Sequence, residues 1–149
     1  MLSCTFAGHR DVYSGEVEAA VEAALLELLE MDSEFCFYTG GMGRFDATCA
    51  QAVRKLRRRM PGKRIRLILV EPYMKRSINT EGEWLRRQFD DIIIPEELLG
   101  VHYKAAIGKR NQWMIDQSQY LIAYVRRSFG GAVKALQYAQ RRGVNVIRV

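Results

Sequence analysis

Two rhythms of apolar residues run along this chain. Short runs of strand length alternate with longer stretches in which apolar residues recur every three or four positions. Ser3 to Ala7 is a short run closed by Gly8 and predicts a buried first strand. From about Gly15 to Glu30, Val17, Val21, Ala24, Leu25 and Leu28 share one stripe, while Glu16, Glu18, Glu22 and Glu27 lie on the other faces of a helix. Ser14 is placed to cap that helix, and the acids behind it oppose the helix dipole favourably. Phe35 to Tyr38 predicts a second strand ending at Gly40-Gly41. A helix follows from about Phe45 to Met60, with Cys49, Val53, Leu56 and Met60 inward and Pro61-Gly62 as its stop.

Ile65 to Val70 is almost continuously apolar, as a central parallel strand covered on both faces should be. Glu81 to Phe89 predicts a short helix, Asp91 to Ile94 a short strand, and Arg110 to Gln117 a weakly marked helix. Leu121 to Val125 is a further strand. Gly130-Gly131 then opens a helix through Arg142, with Val133, Leu136 and Ala139 or Gln140 inward and Gly143 at its end. Val144 to Val149 predicts a last strand near the sheet edge. Strand and helix in alternation imply right-handed crossovers and a three-layer α/β/α sandwich with a mostly parallel sheet. No repeat, linker or low-complexity segment interrupts the pattern, so residues 1–149 are expected to form one domain.

Composition narrows the class. The 149 residues, 48% apolar and 27% charged, can bury a core without disulfides or metal and do not have the make-up of a disordered chain. Lys and Arg number 23 against 17 Asp and Glu, a net charge of +6 that suits an anionic ligand. No apolar run approaches the ~20 residues needed to span a bilayer, and the start has no basic segment followed by an apolar one. The expectation is a cytoplasmic protein with no membrane partner. Cys4, Cys36 and Cys49 are odd in number and form no CxxC pair, which fits reduced thiols, and two histidines make a histidine-rich metal centre an unpromising reading.

In an open parallel sheet the ligand lies beyond the carboxyl ends of the strands. Four features fall at such ends: Gly8-His9-Arg10, Gly40-Gly41-Met42-Gly43, Glu71-Pro72-Tyr73 and Gly130-Gly131. The segment Thr39 to Asp46, TGGMGRFD, leads a strand through a glycine-rich turn straight into a helix. Bare amides and a positive helix end would then face an anion, with Arg44 adding charge. The same segment would also serve as a tight turn with no ligand, and Asp46 would accept either a ribose hydroxyl or amides of its own helix. Arg10 suits a phosphate, or else pairs with Asp11; His9 suits hydrogen bonding better than base catalysis, since no nucleophile elbow accompanies it.

The segments CTFAGHR (Cys4 to Arg10), TGGMGRFD, EPY, KRNQWMID (Lys109 to Asp116), LIAY and the glycine pair occur in an order that resembles the YpsA-like branch of the SLOG superfamily, related to DprA and to the LOG phosphoribohydrolases. The resemblance covers nearly the whole chain. It implies a Rossmann-like domain binding a nucleotide or nucleotide-derived small molecule, with Gly8, His9, Arg10, Gly40, Gly41, Gly43, Asp46, Arg110, Asn111 and Asp116 at the pocket. Glu71, Gly130 and Gly131 join them by their position at strand ends. Where LOG enzymes carry PGGxGTxxE this chain has Gly130-Gly131-Ala132-Val133-Lys134, without the threonine or the glutamate, which disfavours N-glycosidic cleavage more than binding.

Three functions follow in order: sensing or carriage of a nucleotide without turnover; a nucleotide hydrolase or phosphoribohydrolase using Asp46, Glu71 or Asp116; and single-stranded nucleic-acid binding. No catalytic residue can be singled out. No cofactor is called for, although magnesium could accompany a phosphorylated ligand. Tyr73, Trp84, Tyr103, Trp113 and Tyr124 are candidate base-stacking surfaces, and exposed-looking aromatics favour a homo-oligomer such as a dimer. The basic run from Arg54 to Arg66 reads better as a solvated helix face than as a nucleic-acid site, because no aromatic residues interleave it.

Overall fold

The computed structural model describes residues 1–11, 14–75 and 81–149. Its elements in chain order are β1 (Leu2–Gly8), α1 (Gly15–Leu29), β2 (Glu34–Thr39), α2 (Gly43–Arg59), β3 (Arg64–Val70), α3 (Gly82–Gln88) and β4 (Asp91–Ile93). After a 3-10 turn at Glu96–Leu98 come α4 (Tyr103–Asp116), β5 (Tyr120–Tyr124), α5 (Gly131–Arg142) and β6 (Asn145–Arg148). The strands form one six-stranded sheet in the order β4-β3-β2-β1-β5-β6, and every pairing is parallel. The expected α/β sandwich with a Rossmann-like parallel sheet is the fold of the chain.

Side chains alternate across the strands, so each strand feeds two cores. On one face Cys4, Phe6, Phe35, Phe37, Ile65, Leu67 and Ile122 meet the inward stripes of α1 and α2. On the other, Ala7, Leu121 and Ala123 pack against Ala135, Leu136 and Ala139 of α5, while Cys36, Ile68 and Val70 pack against Met114 of α4. The three cysteines are free and buried. Ser14 caps α1 by accepting from the Glu16 amide at 3.1 Å, as its position predicts.

Several boundaries depart from expectation. Helix α4 begins at Tyr103, well before the expected start at Arg110, so Arg110 and Asn111 lie inside the helix. Its buried residues are Ala106, Arg110, Met114 and Ile115, and a stripe built on alanine and arginine does not read as apolar. In α5, Ala135 is buried while Val133 is only partly so and Gln140 is exposed.

The sheet order places β1 between β2 and β5. After β1 and β2 the chain crosses to the α1–α2 face, and after β5 it crosses to the opposite face through α5. These connections part at the carboxyl ends of β1 and β5, which leaves a crevice there. Gly8 sits at its floor, and a Cβ on it would run into the Phe45 ring. Gly15, at the start of α1, has open space instead. Gly8→Ala should therefore lower stability by about 1–3 kcal/mol through overpacking, whereas Gly15→Ala should leave it equal or raise it by up to about 1 kcal/mol, as read by urea denaturation.

Candidate functional site

A cavity of about 490 Å³ opens at that crevice. The segment after β1 supplies Gly8, His9, Arg10 and Asp11; α2 supplies Asp46 with Met42 before it; α4 supplies Ile107, Arg110, Asn111 and Met114. The segment after β5 and the start of α5 add Arg127, Phe129, Gly130, Gly131, Ala132 and Ala135. Of the residues expected from sequence, Gly8, His9, Arg10, Asp46, Arg110, Asn111, Gly130 and Gly131 thus converge on one wall-to-wall space. Gly40, Gly41, Gly43, Glu71 and Asp116 do not line it.

Asp116 sits at the other end of α4, where it accepts from the Tyr138 hydroxyl at 2.8 Å and pairs with Arg142 at 3.1 Å. The buried Glu71 forms an ion pair with Lys75 at 2.9 Å, out of line for a hydrogen bond. Arg110 is 2% exposed. Its guanidinium donates to the Val70 carbonyl at 2.8 Å and the Gly40 carbonyl at 3.3 Å, and its Nε donates to Asn111 Oδ1 at 2.9 Å. Burial works against its charge, while Asp46 and Glu71 support it. Arg110 therefore ties α4 to the ends of β2 and β3 beneath the cavity.

The glycine turn before α2 differs from the bare cradle its sequence suggests. The Gly41 amide donates to Thr39 Oγ1 at 3.2 Å, the Met42 amide to Asp46 Oδ2 at 3.0 Å, and the Arg44 amide to the Arg10 carbonyl at 2.9 Å. Asp46 acts as the internal partner of this helix start. The glycines answer to packing: a Cβ on Gly40 would lie 2.7 Å from the Arg110 guanidinium, on Gly41 2.7 Å from Leu69, and on Gly43 2.6 Å from Arg10. Gly41 and Gly43 also hold positive φ.

At the start of α5, as at Met42 before α2, the N-cap residue makes no side-chain cap hydrogen bond, and Gly130 there has φ of 100°. A Cβ on either Gly130 or Gly131 would meet nothing within 4 Å. Gly131 needs neither positive φ nor close packing, yet it occupies a helical position where glycine costs about 0.5–1 kcal/mol relative to alanine. Gly130, Gly131 and Ala132 line the cavity, so the first turn of α5, with its positive helix end, borders it.

Charge is distributed unevenly around this space. Arg127 pairs with Asp11 at 2.5 Å, which also holds the Asp11 carboxyl below its ordinary range. Arg10 is exposed, with its guanidinium near Met42 Sδ at 3.7 Å. His9 is buried against Tyr124, and its Nε2 accepts from the Arg126 amide at 2.8 Å. Burial and Arg127 push its pKa down, so the neutral ring that this acceptor requires prevails. Among the described residues no three His, Cys, Asp or Glu side chains are grouped for a metal.

None of the five expected stacking residues lines the cavity. Trp113 packs edge-on to Tyr38, Tyr124 is covered by Phe45 and Arg126, and Tyr73, Trp84 and Tyr103 are exposed elsewhere. Sequence reasoning missed Phe129 and Arg127, although an aromatic and a cation just ahead of the glycine pair were there to be read. The basic face of α2 is paired: Lys55 and Arg59 reach Glu22 at 3.0 and 3.2 Å, Arg57 reaches Asp90 at 2.5 Å, and Arg54 lies over Phe89.

No family model matches the chain. It is 28% identical over 134 residues to the "uncharacterized SPbeta prophage-derived protein YoqJ" of Bacillus subtilis (strain 168), covering 80% of this chain and 77% of that one. Its fold matches the single-stranded-DNA-binding DNA processing protein A of Helicobacter pylori with a TM-score of 0.66 at 15% identity, over 99% of this chain and 64% of that one. DprA of Streptococcus pneumoniae matches with a TM-score of 0.67 at 14% identity, over 99% of this chain and 50% of that one. TM1055 matches with a TM-score of 0.63 at 12% identity, over 98% and 72% of the two chains. The chain thus shares a fold with these proteins and spans only half to just under two thirds of the two DprA chains. Among the described residues no helix is long and apolar enough to cross a membrane.

Asp46 supplies a pH test of this site. Burial pushes its carboxyl up from 3.8 to about 6, against the Met42 amide, Arg110 and Arg10, which favour its charge. Between these values the folded protein retains a proton that the unfolded chain has lost. Stability therefore falls as pH rises from about 4 to about 6, by up to about 3 kcal/mol, and stays reduced above. Asp46→Asn keeps an acceptor for Met42 and should be about 1–3 kcal/mol more stable than wild type at pH 8 but level with it near pH 4, in urea melts. A less stable variant at pH 8 would show that the arginines outweigh burial.

Proposed function

We propose that the protein binds single-stranded nucleic acid, holding one nucleotide unit in the cavity with its phosphate against the first amides of α5. The observation that carries this reading is the uncapped start of α5, where neither packing nor backbone conformation requires Gly131 to lack a Cβ. A phosphate oxygen can approach such amides closely, and the helix dipole favours its charge. Arg127 and Arg10 on the same cavity supply guanidinium donors. The single-stranded DNA binding of the Helicobacter DprA, on the same fold, favours a polymer as the source of the nucleotide. The CTFAGHR and TGGMGRFD segments favour the YpsA-like branch for this chain.

A free nucleotide or nucleotide-derived ligand is the second reading, favoured by a cavity of about 490 Å³, room for a single nucleotide. Of the three acids weighed for hydrolysis of such a ligand, Asp46 lines the cavity while Glu71 and Asp116 do not.

Binding is read by anisotropy of a labelled oligothymidylate across a salt series, with thymidine monophosphate as competitor. The logarithm of the affinity should fall linearly with the logarithm of the salt concentration. Gly131→Ala should weaken binding by about fivefold or more while the melting temperature stays equal or rises, because the added methyl meets only the ligand. The double variant Arg57→Ala/Arg58→Ala should bind as wild type does. If that variant alone abolishes binding, nucleic acid lies on α2 and the cavity assignment fails. Binding of the monophosphate without the oligomer favours the second reading.

A further inference from the structure

We infer that Phe129 is the platform on which the nucleobase stacks, and that this residue sets a requirement for a base in the ligand. The inference rests on the nucleotide reading above and adds a residue and a specificity to it. Phe129 is 70% exposed, yet it lines the cavity. It belongs to no core cluster and stacks on no described ring. A large aromatic ring left in water at the rim of a cavity is an unused apolar face.

The lining has two characters. His9, Arg10, Asp11, Asp46, Asn111 and Arg127 are polar, while Phe129, Ile107, Ala132 and Ala135 are apolar. A nucleotide has the same division, a charged phosphate at one end and a flat π-system at the other. Phe129 directly precedes Gly130, whose positive φ turns the chain into α5. The ring and the α5 amides therefore lie next to each other in the chain, within the span of one nucleotide. Stacking tolerates any base, because every base offers a π-face, so the expected preference is for a base over none rather than for one base over another.

The test compares labelled oligothymidylate with an abasic deoxyribose-phosphate oligomer of equal length. Phe129→Ala should bind oligothymidylate at least about fivefold more weakly and the abasic oligomer within about twofold of wild type. Phe129→Trp should restore binding, with its added indole emission quenched by thymidylate relative to the wild-type background. Trp84→Ala, which alters an equally exposed aromatic on α3 (57% exposed), should change neither affinity. Equal loss for both oligomers with Phe129→Ala, or no loss for either, would overturn the platform while leaving the nucleotide reading in place. Wild-type protein that binds neither the oligomers nor thymidine monophosphate would remove both. If the monophosphate alone binds, the platform stands only when Phe129→Ala weakens that binding too.

Discussion

A buried guanidinium organises this molecule. Arg110 reaches from α4 to the carbonyls of Gly40 and Val70, the points at which β2 and β3 hand the chain to their loops. Carbonyls at strand ends have lost their ladder partners, and a planar donor satisfies two of them at once, while Asp46 and Glu71 support the charge that burial opposes. The arrangement demands that Gly40 carry no side chain, since a Cβ there would stand 2.7 Å from the guanidinium carbon. It also sets the height of α4 over the sheet, and α4 is one wall of the cavity.

The glycines of this chain divide into two kinds by what surrounds them. Gly8, Gly40, Gly41 and Gly43 are small because protein atoms already occupy the space, so their chemistry is that of packing. Gly130 and Gly131 are small beside empty space. The same contrast holds for the two helix starts on the cavity. The amides leading into α2 are taken up by Thr39, Asp46 and the Arg10 carbonyl, while α5 has no side-chain cap. A helix start closed by its own chain gives little to an anion, and an open one keeps its dipole and donors available. This is why the phosphate is proposed at the start of α5 rather than at the turn whose sequence is richest in glycine.

Much of the fold was legible because its signals are local and redundant. The stripe from Val17 to Leu28, the apolar run from Ile65 to Val70 and the Pro61-Gly62 stop each specify an element from neighbouring residues alone. Helix α4 was legible only in part, because its inward face uses Ala106 and Arg110, and a hydrophobic pattern cannot announce an arginine that is buried by its partners. Of the site, the strand ends were foreseeable from sheet logic, and most residues placed there do converge. Asp116 and Glu71 were not separable from the rest, since their distance from the cavity depends on which way a helix runs and which way one side chain turns.

Periodicity and glycine placement, both read over a few residues, thus determine that this chain alternates strands and helices in a parallel sheet with glycine-bearing turns at the carboxyl ends of several strands. Only the tertiary structure decides which loops face one another, because strand order rather than chain order puts β1 beside β5 and so brings His9 to the Arg126 amide. It alone also decides which amides are free, since a hydrogen-bond donor is spent or open according to atoms far away in the sequence.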